Sequence, residues 1–145
     1  MEYKSTDELN HEIESATDFV DYITNNKENL ITTSLSAHLN MLLSQKGLKV
    51  VDVIRGSLLG RAYVYQIFSE DKNPSRDKMI ALAFGLHLSG EETQKMLKLS
   101  GNRELYARDE RDALILFAIH RKKNIMETNE LLIDHGFNVL DTTKE

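Results

Sequence analysis

No cysteine occurs in these 145 residues, so the chain has no disulfide and offers no thiolate to a metal or a redox couple. A chain of this length buries roughly 68–70% of its unfolded surface on folding, enough for a core without a staple. The absence also fits a cytoplasmic setting. Proline occurs once and glycine seven times, and no alternating apolar run reaches strand length, so the predicted fold class is all-α. The longest apolar run, Ala113 to Ile119, falls far short of the ~20 residues that cross a bilayer, and no membrane association is expected. Glu2, Lys4, Asp7 and Glu8 open the chain with no apolar run behind them, so no signal peptide is expected. A glycine-rich phosphate loop is missing. The five histidines, His11, His38, His87, His120 and His135, are scattered without metal-ligand spacing, and no serine sits in a nucleophile pattern. No enzyme, no metal and no cofactor is expected.

Positive charge is also scarce, with a net charge of -5, but it is unevenly placed. Residues 1–34 hold two basic and eight acidic groups and read as an acidic N-terminal helical arm. Residues 35–101 hold nine basic and six acidic groups, a local excess of +3 in what reads as the central domain. Residues 102–136 read as a C-terminal helical pair and 137–145 as a flexible tail. The basic excess lies on the segment that would face phosphate.

Local signals divide the chain into helices. Ser5 with Glu8 has the spacing of a capping box, and Leu9, Ile13, Ala16, Val20 and Ile23 form one apolar stripe. That stripe is predicted to dock on the core, and Thr17-Asp18 is a candidate N-cap that would split the helix in two. A helix after Thr33-Ser34 carries Leu35, Leu39, Leu42 and Leu43 and stops at Gly47. Pro74-Ser75 opens a strongly apolar helix, and Ser89 with Glu92 caps the next, which stops at Gly101. The segment from Arg108 to Lys122 is apolar on most faces at its centre and is predicted to be well buried, with Arg121-Lys122-Lys123 complementing its dipole. Asn124 with Glu127 caps the last helix, which ends at His135-Gly136.

Between these lies the most informative stretch, residues 49–78. It reads as a short helix burying Val50, Val53 and Ile54, a bend at Gly56-Ser57, and a second short helix over about 60–68. The second helix carries Arg61, Tyr63, Tyr65 and Gln66 beside apolar Val64, Ile67 and Phe68. A short helix after a bend, apolar behind and rich in hydrogen-bonding groups in front, is the arrangement of a helix-turn-helix that reads the DNA major groove.

Tyr65-Gln66-Ile67-Phe68-Ser69 and Pro74-Ser75-Arg76-Asp77-Lys78 resemble segments of the lambda-repressor-like, xenobiotic-response-element family of bacterial and phage helix-turn-helix regulators. Leu105-Tyr106, Arg111-Asp112 and Asn129-Glu130-Leu131-Leu132 are similar to a Gram-positive subgroup of it. The resemblance implies a helix-turn-helix bundle with extra N- and C-terminal helices, a homodimer, and double-stranded DNA as partner. It places Arg61, Ala62, Tyr65 and Gln66 against bases, and Lys49, Tyr63, Lys72, Asn73 and Lys78 at the DNA backbone. Arg61 would take guanine O6/N7 and Gln66 adenine N6/N7.

Three departures from the family pattern count against an intact DNA reader, and the last two, with the acidic segment 1–34, motivate a second reading, a protein-binding module that keeps the fold, such as a phage- or plasmid-type inhibitor or a regulatory subunit. Lys49-Val50 stands where the family often has Ser or Thr followed by Gln. Leu58 stands where the bend commonly has glycine, with Gly60 expected to absorb a displaced turn. The loop before the proline opens with Glu70-Asp71, which would repel phosphate at low salt.

Overall fold

A computed structural model describes residues 4–26, 34–69, 72–140 and 142. Among the described residues the structure is all-α, with nine helices and no strand. The chain divides into two units, Met1–Thr32 and Thr33–Glu145, each described by itself.

In the first unit, α1 (Thr6–Ser15) starts where the Ser5 hydroxyl accepts the Glu8 N–H at 3.1 Å. Of the predicted capping box only this half forms. Ala16 leaves helical geometry, and Asp18 caps α2 (Phe19–Asn25) by accepting the Val20 N–H at 3.1 Å. The extended step at Ala16 breaks the 3.6-residue period, so the predicted continuous stripe does not exist. Neither helix buries a residue, and Ile13, Phe19 and Val20 are all more than half exposed. The two helices are joined by polar groups instead. Lys4 pairs with Glu12, and Asn26, fully buried, donates to Glu12 at 2.6 Å and accepts from Lys4 at 2.8 Å. The hydrogen bonds from Lys4 and Asn26 hold the Glu12 carboxyl below its ordinary range.

The second unit is built around one helix. It contains α3 (Leu35–Gln45), α4 (Val50–Ser57), α5 (Arg61–Phe68), α6 (Arg76–Gly85), α7 (Gly90–Leu99), α8 (Glu110–His120) and α9 (Ile125–Asp134). Every residue of α6 from Lys78 to Gly85 is buried, because α4, α7 and α9 pack around it. A helix covered on several sides has no use for an amphipathic pattern, which is why its apolar residues run almost without interruption. Two glycines let α4 and α6 meet backbone to backbone: a Cβ on Gly56 would stand 3.0 Å from the Gly85 Cα, and one on Gly85 would stand 2.6 Å from the Val53 carbonyl oxygen.

The predicted boxes Ser89/Glu92 and Asn124/Glu127 both form, with each serine or asparagine oxygen accepting an N–H while the glutamate accepts one in return. Ser34 caps α3 by accepting the Ala37 N–H at 3.2 Å. The centre of α8 is less buried than its composition implied: Ile115, Ala118 and Ile119 face the core, but Phe117 is 49% exposed, with the Arg121 guanidinium 5.0 Å from its ring centroid. The segment read as a flexible tail is tied down as far as Leu140. That residue is buried and its N–H donates to Asn129 at 2.9 Å, while Arg111 donates to the carbonyls of Asn138 and Val139.

Two reciprocal ion pairs join the first turns of α6 and α8. Arg76 makes a bidentate bond to Asp112 at 2.7 and 3.1 Å, and Arg111 makes one to Asp77 at 3.0 and 3.2 Å. Thus each Arg-Asp dipeptide supplies the cation for one bridge and the anion for the other. Arg76 also donates to the carbonyls of Arg103 and Glu104, and Asp112 accepts the Tyr106 N–H at 3.0 Å. Burial pushes the Asp112 carboxyl up, but the bonds from Arg76 and Tyr106 and the charges of Arg76 and Arg103 outweigh it and leave it below its ordinary value.

Candidate nucleic-acid interface

The face in question is built by α4, the bend after it, and α5. Lys49 stands at the N-cap of α4 and has no acceptor atom in its side chain, so the helix is capped from one side only, by Asp52 accepting the Lys49 N–H at 2.8 Å. This leaves the exposed Lys49 ammonium at the helix entrance. Val53 is fully buried beneath α4.

The bend is fixed by two residues. Ser57 is buried, and its hydroxyl accepts the Leu59 N–H at 3.2 Å. Leu58 itself takes the left-handed conformation, φ 62° and ψ 13°, and its N–H donates to Ile54 at 3.2 Å. Gly60 does not absorb the turn as expected; its φ is -63°, and it acts as the N-cap of α5. The reason lies one residue away. Leu59 drops into the core, where it is 4% exposed, and the left-handed step at position 58 leads the chain to it. A left-handed leucine costs roughly 1–2 kcal/mol, which the burial of Leu59 offsets.

On α5, Val64, Ile67 and Phe68 are buried, and Asn40 of α3 donates to the Phe68 carbonyl at 3.2 Å, holding the end of the helix. Arg61, Ala62 and Tyr65 are exposed on the opposite side, where the Arg61 guanidinium lies 5.4 Å from the Tyr65 ring centroid. Gln66 is half-buried and sits at the edge of that face. The four base-contact candidates therefore fall into an exposed three and a flanking one.

The backbone-contact candidates divide differently. Lys49 and Asn73 are exposed and Lys72 is half-buried. Tyr63 and Lys78 are buried, 9% and 5% exposed, and their assignment to phosphate is corrected here. At 100° per residue, position 63 lies about 200° around the helix from position 61, on its inner side. The Lys78 ammonium sits 4.9 Å from the centroid of the Tyr63 ring and Lys72 sits 5.9 Å from it, so this ring joins α5 to α6. Glu70 and Asp71, the acidic pair of the loop, lie outside the described residues.

In the sequence Arg76-Asp77 and Arg111-Asp112 stand out only as parts of a resemblance, with Asp77 also complementing the dipole of its helix; the α6–α8 bridges give all four residues a structural role. No group of three or more metal-ligating side chains occurs among the described residues, and no described helix is long and apolar enough to cross a membrane. His38 is buried, and burial first, then the charge of Lys95, holds its imidazole below the ordinary value. Compared with protein-family models, with curated proteins and with solved structures, the chain matches none.

Proposed function

We propose that the chain is a helix-turn-helix regulator of the lambda-repressor-like, xenobiotic-response-element type, binding duplex DNA as a dimer with α5 in the major groove. One observation carries this reading: Arg61, Ala62 and Tyr65 share an exposed face on a short helix whose other side is buried, directly after a tight bend. Arg61 would read guanine, Tyr65 would contact phosphate or a thymine methyl, and Lys49, Lys72 and Asn73 would set register on the backbone.

The test is duplex selection followed by anisotropy titration against salt. With Lys49 and Lys72 as the two phosphate cations per protomer, a dimer neutralises about four phosphates. Affinity then falls ~100-fold between 50 and 200 mM salt. Arg61→Ala weakens binding by ~1–3 kcal/mol and relaxes preference at one base pair of each half-site. Selection that enriches no sequence, with no salt-dependent binding, overturns the reading.

The protein-binding alternative rests on the burial of Tyr63 and Lys78, which leaves few phosphate anchors beside an exposed Arg61–Tyr65 pair of hot-spot chemistry. It predicts a stoichiometric protein partner whose affinity falls with Tyr65→Ala and is insensitive to duplex DNA.

A further inference from the structure

Five helices of the second unit end in the same turn, in which the N–H three residues past the last helical residue reaches back to the carbonyl five residues before it. The bonds are Leu48 to Leu43, Leu88 to Ala83, Asn102 to Leu97, Lys123 to Ala118 and Phe137 to Leu132, at 2.8 to 3.0 Å. This turn requires a left-handed residue at its centre, and glycine fills it most cheaply. Gly47, Gly101 and Gly136 do so at three of the ends. The other two centres are His87, φ 54°, and Lys122, φ 56°. Both of these side chains line one cavity of about 490 Å³.

That cavity lies among the ends of α3, α6 and α8 and the start of α7. Phe84, Leu88 and Ile119 supply apolar wall, and Lys46, His87, His120, Lys122 and Lys123 supply cationic or protonatable groups. Glu92 is the lone carboxylate in the lining, and it is already engaged by Lys46 at 3.0 Å and by the Ser89 N–H at 2.9 Å. Lys122 and Lys123 form no ion pair among the described residues. Backbone strain persists where the side chain it presents is needed, and strained positions cluster at binding sites. A cavity of this size with apolar walls and a few convergent polar groups suits one small molecule.

We propose that this cavity binds a small organic anion, a phosphate or carboxylate on an apolar body, with His87 and Lys122 held in strained turns to meet the anionic group. The apolar body lies on Phe84, Leu88 and Ile119. None of the α5 face residues lines the cavity, so the proposal does not depend on the DNA reading.

Phenyl phosphate titrated calorimetrically into the full chain is the primary probe, with benzoate and inorganic phosphate as comparison arms. Saturable binding of phenyl phosphate or benzoate at ~1 mM or tighter is expected, and whichever binds better identifies the anionic group. The double variant His87→Gly, Lys122→Gly places the residue that the turn prefers, so its Tm stays at or above that of the parent while affinity falls at least ~10-fold. Lys123→Gln, outside the strained positions, weakens binding several-fold with Tm unchanged. Failure of both aromatic anions to bind overturns the proposal, as does unaltered affinity in the glycine double variant or a lowered Tm for it. Inorganic phosphate binding as tightly as phenyl phosphate overturns it as well, because the apolar wall would then contribute nothing.

Discussion

Replacing Gly85 by alanine puts one carbon into the crossing of α4 and α6. That carbon would stand 2.6 Å from the Val53 carbonyl oxygen and 3.1 Å from both the Cβ and the N of Ser57. These are mostly backbone atoms, and no rotamer change moves them aside. Reaching an ordinary contact requires α4 to withdraw by ~0.8 Å, and a gap of that size forfeits roughly a quarter to a half of the dispersion energy across it. Val53 is fully buried. At roughly 40 atom contacts of ~0.1 kcal/mol each, it alone loses ~1–2 kcal/mol, and the half-buried Val50 and Ile54 add to this. The better helix propensity of alanine returns ~1 kcal/mol.

The net expectation for Gly85→Ala is a loss of ~1–3 kcal/mol, equivalent to a Tm lowered by roughly 3–10 °C. Urea unfolding followed by circular dichroism should show a lower midpoint with an unchanged slope. Gly56→Ala, whose Cβ meets the Gly85 Cα at 3.0 Å, should lose less. Gly90→Ala meets nothing within 4 Å and should be neutral or stabilising by ~0.5 kcal/mol. A Gly85→Ala protein as stable as the parent would mean that the two backbones do not approach as described.

Leu58→Gly removes a left-handed leucine whose side chain is 45% exposed, so stability should rise by ~0.5–1 kcal/mol in the same urea assay; a fall would show that Leu58 contributes packing that outweighs its strain. Arg76→Ala leaves Asp112 buried without its main partner and should cost ~3–5 kcal/mol at pH 7. The parent's Asp112 is depressed, so its contribution is complete above the unfolded value near ~3.9 and is lost only as pH falls through the lower folded value. In the variant burial dominates and raises that carboxyl, whose penalty then disappears as pH falls. The stability gap between the two proteins should therefore narrow from pH 7 toward pH 4, and a constant gap refutes the assignment.

What sequence made legible was local. Ser34, Ser89 with Glu92, and Asn124 with Glu127 announced their helix starts because a cap is settled within four residues, and Gly47 and Gly101 announced stops for the same reason. The bend resisted because left-handed geometry was sought at a glycine, whereas the burial of Leu59, a tertiary demand, placed it on Leu58. His87 and Lys122 were missed on the same ground. The reciprocal Arg-Asp bridges join residues more than thirty positions apart, and a dipeptide of opposite charges looks identical whether its partner is solvent or another such dipeptide. The resemblance placed Tyr63 and Lys78 at the DNA backbone, although helical phase already pointed position 63 inward.

An eight-residue helix opened by glycine has too few turns to hold itself, so the outward face of α5 is only as fixed as its braces. These are the burial of Val64, Ile67 and Phe68, the Asn40 bond to Phe68, and the cations against the Tyr63 ring. Under the DNA reading, Lys78 therefore acts by orientation and Lys49 by charge. Lys49→Ala should reduce the salt slope of binding by about 0.9 per protomer, because one phosphate per protomer is no longer neutralised. Lys78→Met keeps the length of the side chain but removes the charge facing Tyr63, and should weaken binding with the salt slope unchanged. Its loss of stability should be at least that of a partly desolvated cation–π contact, ~1–2 kcal/mol. If Lys78→Met instead lowers the slope as Lys49→Ala does, the ammonium reaches phosphate in the complex, α5 must move on binding, and the inward placement of Tyr63 describes only the free protein.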